Sequence, residues 1–548
     1  MQAAGSDQQP LMAVGTLLAR SLREAGAGPI FTLNGAHIWG IYLGATELDL
    51  NLLDTRDERS AAFAALGWSK LTRRLGVAAV TAGPGVTNAI SALASARSED
   101  APMLLLAGRA PISRWGMGSL QELDQVTLVS SLVKYAATVF EPDRTQGLVR
   151  EAIESAFAAR TGPAFIDVPI DVFLGVGRLD EPGGTAAQPP GPPDPGQVAL
   201  AARLLRGATH PVIVAGSGVW WAHAEQEVVE LAEASGAPLV LNGMARGMVP
   251  PDHHLFASRG RSFCLASADV VVLAGVPLDF RLNWGLPPVL SEDVQLIYID
   301  GDELRHHRPP SAALIGDVRA SLAALAEVSG RSSATAPWIQ LVEQARSQVV
   351  AADADLAACD SSPVHPARLV AEAERALDPD AIVVVDGGDF GSFAGRMIHR
   401  RGPGLWLDGG PFGCLGAGLG QALAAKLAHP QRQVLLLSGD GAFGFSAMEF
   451  DTLIRHRVNV VCVIANNGIW ATEKHAMEDF LGTSLLADLR PQTRYDLMVA
   501  ALGGHAELVS RPQEIRPALE RAFASGLPAL VNVMCDPEAR YPRSTVLL

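Results

Sequence analysis

Cysteine is scarce. The chain carries five, Cys264, Cys359, Cys414, Cys462 and Cys535, far apart and mostly inside apolar runs. That pattern supports neither a disulfide framework nor a zinc site, and it fits a reducing cytosol. Positive charge is also in short supply: 43 Lys and Arg stand against 58 Asp and Glu, a formal balance of −15, with no basic stripe to override it. A nucleic-acid partner is therefore not expected. An anionic substrate has to be met by local groups, such as helix N-termini or a few arginines. No uninterrupted apolar stretch reaches spanning length, so a soluble protein without a membrane partner is expected. Met1 to Pro10 are polar and small, without the apolar core of a signal peptide, which predicts a disordered start and a cytoplasmic location.

What the chain does have is length and core-forming residues. With 548 residues, 48% hydrophobic and 18% charged, it has material for about three domains. Three blocks alternate short strand-like runs with longer helical patterns, which predicts α/β architecture with parallel, doubly wound sheets. The first spans residues 11–175, with strands at Gly76–Thr81, Met103–Ala107 and Ala164–Val168 and a helix at Thr87–Arg97. Residues 176–196 are rich in Pro and Gly and read as a linker. The second block spans 197–328, and 329–362 form a connector with a helix around Trp338–Val350. The third spans 363–535, with strands at Ile382–Val385, Val434–Leu437, Val458–Ile464 and Ala529–Val533, and 536–548 remain as a tail.

The strongest chemical signal lies in the third block: Gly439-Asp440-Gly441, then residues 442–465, then Asn466-Asn467-Gly468. The apolar strand before Asp440 delivers its carboxylate to the carboxyl edge of a parallel sheet, where open α/β sheets bind ligands. Glycines let the backbone approach a phosphate, and a helix at about Ser446–His456 is expected to offer its N-terminal N–H groups to that anion. The strand that follows brings Asn466 and Asn467 beside Asp440. One carboxylate, one amide oxygen and backbone carbonyls form a hard oxygen set suited to Mg²⁺ bridging a diphosphate.

This pattern resembles the cofactor motif of the thiamine-diphosphate (ThDP) enzymes of the acetolactate synthase and pyruvate decarboxylase superfamily. The resemblance runs from about Leu11 to Val533. It implies three domains (pyrimidine-binding, central and diphosphate-binding) and Mg²⁺ held by Asp440, Asn467 and the Ile469 carbonyl. Gly439, Gly441, Ala442, Gly388, Asp389 and Trp470 would line the cofactor. Gly413-Cys414-Leu415-Gly416 looks like the family stretch whose apolar residue bends the cofactor, with Leu415 at that residue and Cys414 among those that would line the cofactor. In the first block, Thr55 to Phe63 resembles the segment whose glutamate meets the cofactor's aminopyrimidine ring, and Glu58 is the matching position. A carboxyl there exchanges a proton with the ring and so activates the cofactor. Ala82 to Ala89, with Pro84 and Asn88, matches the turn beside it. Because the family divides these half-sites between subunits, a homodimer or homotetramer is implied.

Further segments resemble the 2-hydroxyacyl-CoA lyases, especially the bacterial 2-hydroxyisobutyryl-CoA lyases: Phe31–Ile38, Gly118–Gln125, Asp386–Phe390, Asn467–His475 and Tyr541–Thr545. They imply reversible C1–C2 cleavage of a CoA thioester to formyl-CoA and an aldehyde or ketone. Glu473, on the loop after the asparagines, would take the hydroxyl proton, with Gln121 and His37 positioning polar groups, Trp470 walling the acyl pocket and the tail covering the site. The rival within enzymes is acetolactate synthase-like carboligation or decarboxylation of a 2-keto acid or oxalyl-CoA. A non-catalytic cofactor-binding subunit is the rival of another class. Gly216-Ser217-Gly218 and Asp300 in the central block suit ADP, FAD or the ADP part of CoA; a plain βα turn is the better single reading. The glycine pattern is too incomplete to support a flavin or NAD oxidoreductase.

Overall fold

In the computed structural model, residues 10–180, 190–302, 307–332 and 335–542 are described. The expected disordered N-terminus, apart from Pro10, and the last residues of the expected lid lie outside this range. The chain folds into two compact units, one of residues 1–188 and 412–428, the other of 189–411 and 429–548.

The first unit is built on a six-stranded sheet. Its strands are β1 (Ile30–Thr32), β2 (Leu52–Asp54), β3 (Gly76–Val80), β4 (Met103–Arg109), β5 (Tyr135–Thr138) and β6 (Pro163–Pro169), in spatial order β2-β1-β3-β4-β6-β5. All its pairings are parallel. β3, β4 and β6 are buried throughout, which is why they read as continuous apolar runs rather than alternating ones. Helix α1 (Glu58–Thr72) follows β2, capped by Asp57, whose side chain accepts the Arg59 N–H. Helix α2 (Pro84–Ser98) begins three residues before its predicted start, because Pro84 at its first position is pre-set for a helix.

The second unit carries two sheets. The central one comprises β7 (Pro211–Ala215), β8 (Leu239–Leu241), β9 (Val270–Ala274), β10 (Gln295–Asp300) and β11 (Ala312–Ile315), in order β8-β7-β9-β10-β11. The other comprises β12 (Ile382–Asp386), β13 (Trp406–Leu407), β14 (Val434–Gly439), β15 (Val461–Asn466), β16 (His505–Val509) and β17 (Ala529–Met534), in order β13-β12-β14-β15-β17-β16. Two six-stranded sheets therefore share one strand order although no residue-level repeat is visible in the sequence. The predicted third-block strand at Val458–Ile464 lies at β15, and the connector helix is longer than predicted, Thr335–Ala357. Inside this unit Arg246 donates to the Gly395 and Ile398 carbonyls and lies over the Trp406 ring at 4.1 Å. The five cysteines are free. No helix among the described residues is long and apolar enough to cross a membrane.

Candidate functional site

Two groups of side chains stand out, one in each unit. In the second unit, the buried run of β14 ends at Gly439, and Asp440 opens a one-turn helix α3 (Asp440–Phe443). Asp440 is 3% exposed. Its Oδ1 accepts the Gly441 N–H at 3.0 Å and its Oδ2 the Gly468 N–H at 2.8 Å. Burial pushes its carboxyl up to about 6 despite these donors, and no cation among the described residues offsets that. A buried carboxylate held at the end of the strand without a countercharge among the described residues fits the expected Mg²⁺. Gly441 has a specific reason to be glycine: a Cβ there would lie 2.5 Å from the Trp470 ring. Trp470 also meets Phe445 edge to face, so it forms a wall over the Asp440 turn.

The structure separates the two asparagines. Asn466 ends β15, and its Nδ2 donates to the Asn532 side chain at 3.0 Å and the Thr493 carbonyl at 2.8 Å. Asn532 in turn donates to Asp496. Asn466 is thus tied into the sheet, and Asn467 is the amide left at the strand end; its Oδ1 accepts the Ile469 N–H at 3.2 Å. The predicted helix Ser446–His456 is shorter, α4 (Glu449–Arg455), so α3 rather than a long helix follows Asp440 directly. Glu473 is a second correction: it lies not in a loop but in the first turn of helix α5 (Ala471–Leu481), exposed, while Lys474 pairs with Asp488 at 2.7 Å. Negative charge at a helix start is favourable there, which explains the placement. Asp389, capped by Gly388 at the start of a helix, is buried and accepts the Tyr541 N–H. His475, which the sequence reading did not single out, is buried 3.9 Å from Asp389 and hydrogen-bonds the Pro537 carbonyl. The first part of the tail therefore packs back toward Asp389 and α5.

In the first unit, Glu58 opens α1 with 8% of its surface exposed, and Asn88 on α2 donates to its Oε2 at 3.0 Å. Gly83 precedes α2 at φ 58°, a left-handed turn that glycine adopts without strain. His37 is buried; its Nδ1 lies 3.2 Å from the Thr81 hydroxyl, which donates to the Gln121 amide oxygen, also at 3.2 Å. Burial holds the imidazole below its ordinary range, with a hydrogen bond to Gln121 opposing. The structure thus brings His37 and Gln121 together through Thr81, a residue that no motif marks. Cys414 and Leu415 lie half-buried in a loop of the same unit, with the Cys414 thiol 3.8 Å from the Ser91 carbonyl.

In the central sheet the Gly216 and Gly218 amides donate to the Ala274 and Gly275 carbonyls. Those N–H groups are engaged in the sheet, as in a plain βα turn, rather than turned toward a phosphate.

Comparison with known proteins follows the same division. Residues 12–128 match the model of the thiamine pyrophosphate enzyme N-terminal TPP binding domain, 198–325 that of the central domain and 386–533 that of the C-terminal TPP binding domain. The chain is 52% identical over 542 residues to a "Probable acetolactate synthase" of Mycobacterium bovis, covering 98% of each. The same figures hold for the "Acetolactate synthase large subunit IlvG" of Mycobacterium tuberculosis. It is 33% identical over 568 residues to "2-hydroxyacyl-CoA lyase 2" of Homo sapiens, covering 95% of this chain and 89% of that protein.

Proposed function

This chain belongs to the thiamine pyrophosphate enzyme family, as an enzyme with three α/β domains of that type, and we propose that it is a carboligase or decarboxylase of 2-keto acids of the acetolactate synthase kind. The observation that carries the choice of reaction is 52% identity over nearly the whole of both chains to proteins of that name. The 2-hydroxyacyl-CoA lyases, at 33%, are more distant.

In this reading Asp440, Asn467 and the Ile469 carbonyl hold Mg²⁺, and Trp470 packed on Gly441 shapes the ground beside it. When bound, thiamine diphosphate supplies a nucleophilic carbon and an electron sink for the carbanion left by bond cleavage. Glu58 holds and returns a proton at its carboxyl, its Oε2 oriented by Asn88. His37, kept neutral by burial, donates or accepts a hydrogen bond without bringing a charge, and Thr81 and Gln121 fix its ring. Self-association into a homodimer or homotetramer and a cytoplasmic location belong to the same reading. An adenine nucleotide in the central domain is not part of it, since the Gly216 and Gly218 amides are already bonded.

Cleavage of 2-hydroxyacyl-CoA thioesters to formyl-CoA is the second reading. It is favoured by the lyase relatives and by Glu473, an exposed carboxylate at the start of α5, as the hydroxyl base. The test is one assay in parallel tubes, purified protein with ThDP and Mg²⁺ given pyruvate or 2-hydroxyisobutyryl-CoA. Acetolactate or acetaldehyde from pyruvate is the expected result. Formyl-CoA alone overturns the keto-acid reading in favour of the lyase, and no ThDP-dependent product from either overturns both.

A further inference from the structure

Gln125 is fully buried in the first unit, at the start of a short helix (Gln125–Val129). Its amide is used at both ends. The oxygen accepts the Gly83 N–H at 2.7 Å, while the nitrogen donates to the Gly108 carbonyl at 3.0 Å and to Asp167 Oδ2 at 2.9 Å. Asp167, itself buried, also receives Arg109 at 3.0 Å, and the Arg109 guanidinium lies 4.0 Å from the Trp115 ring centroid.

The Gly83 N–H stands at the start of α2, where backbone donors lack partners within their own helix. No side chain of the turn caps it, so the acceptor comes from Gln125, far along the chain. Five residues on, on the same helix, Asn88 donates to Glu58. Thr81, two residues before Gly83, bonds Gln121 and lies within hydrogen-bond reach of His37. One buried amide therefore anchors the turn from which both polar groups of this unit are set, and it is anchored in turn to β4 and to the pair that Asp167 on β6 makes with Arg109 at the end of β4.

We propose that Gln125 is the positioning residue of the Glu58 half-site: it holds the Gly83 turn so that Asn88 presents its amide to Glu58. This rests on the reading of Glu58 as the proton-exchanging carboxyl, and the test separates the two. The variants are Gln125→Leu, which removes both ends of the amide, and Gln125→Glu, which keeps its shape. A protonated carboxyl there still accepts from Gly83 and donates to Asp167. An ionised one loses the donor and faces the Asp167 carboxylate, with Arg109 beyond it and Asp124 adjacent along the chain. The primary measurement is amide hydrogen exchange of full-length protein without cofactor, followed on peptides covering residues 81–90 and compared with wild type at each pH.

In Gln125→Leu these peptides are expected to exchange about tenfold faster at every pH, the size of one lost buried hydrogen bond in a local opening. In Gln125→Glu the ratio to wild type is expected near one at low pH and to rise about tenfold as the carboxyl ionises. With cofactor, kcat on pyruvate should fall about tenfold while KM stays within about threefold, because the group disturbed acts on the proton and not on substrate capture. Wild-type protection of 81–90 in Gln125→Leu overturns the proposal. So does faster exchange spread evenly over the first unit, which would mark Gln125 as a packing residue only. If Glu58→Ala keeps full turnover, the reading of Glu58 fails, whereas the exchange result on the turn stands independently of it.

Discussion

Glu58→Gln separates chemistry from scaffolding more cleanly than any other single substitution in the first unit. The side chain is 8% exposed and accepts a hydrogen bond from Asn88 at 3.0 Å. A glutamine oxygen accepts that bond equally well in shape. The stability change is then only the difference between an amide donating to a carboxylate and to a neutral amide, about 1 kcal/mol. The kinetic change is of another size. Loss of a positioned acid–base group costs roughly 10² to 10⁴ in rate, which at about 1.4 kcal/mol per tenfold is ~3 to 5 kcal/mol of barrier. The assay pairs ThDP-dependent turnover with urea denaturation of the same preparation. A barrier increase several times the stability loss is expected. Turnover within about threefold of wild type refutes the proton-exchange role, and a stability loss as large as the barrier increase refutes the scaffold-neutral reasoning.

How much of this was legible in the sequence depended on whether the deciding contact was local. The Asp440 turn was visible because an apolar run, Val434–Leu437, stops at a glycine-flanked acid, and the strand does end there. The fate of the paired asparagines was not. Which amide is absorbed by the sheet depends on where β15 ends and on Asn532 on the neighbouring strand, a partner 66 positions away in sequence. The charged run Glu473-Lys474-His475 reads as a loop because it hides a helix start; the αL cap at Gly482 is what closes that helix. Gln125 closes the lyase-like segment Gly118–Gln125, yet nothing local in that mixed run marks its side chain as buried. Only the arrival of Gly83, Gly108 and Asp167 around it makes its burial possible. The three-block α/β organisation, by contrast, followed from runs that are buried on both faces of parallel sheets.

Other substitutions test the second unit. Asp440→Ala is expected to abolish the rise in melting temperature that Mg²⁺ with ThDP gives the wild-type protein; a rise equal to wild type would remove Asp440 from the metal site. Gly441→Val places a Cβ 2.5 Å from the Trp470 ring, so the ring must swing away, and ThDP affinity should fall about tenfold or more, roughly 1.4 kcal/mol. Calorimetry giving an unchanged Kd would contradict this. For pH, burial together with Arg246 and Arg259 holds His399 well below its ordinary range, so the unfolded chain takes up that proton first. Stability from the neutral ring is full above about pH 6.5 and falls below it by ~1.4 kcal/mol per pH unit until the folded ring protonates. His399→Gln should lower the acid-side slope of unfolding free energy by about one proton, and an unchanged slope would contradict the burial argument.

The most direct measurement is a calorimetric titration of ThDP into the purified protein, with Mg²⁺ and again with the metal chelated. Saturable binding of one ThDP per chain that weakens about tenfold or more on chelation is the predicted result. Binding of equal strength with the metal removed, or no binding in either titration, would contradict the assignment of Asp440 and Asn467 as the metal-held end of the cofactor site.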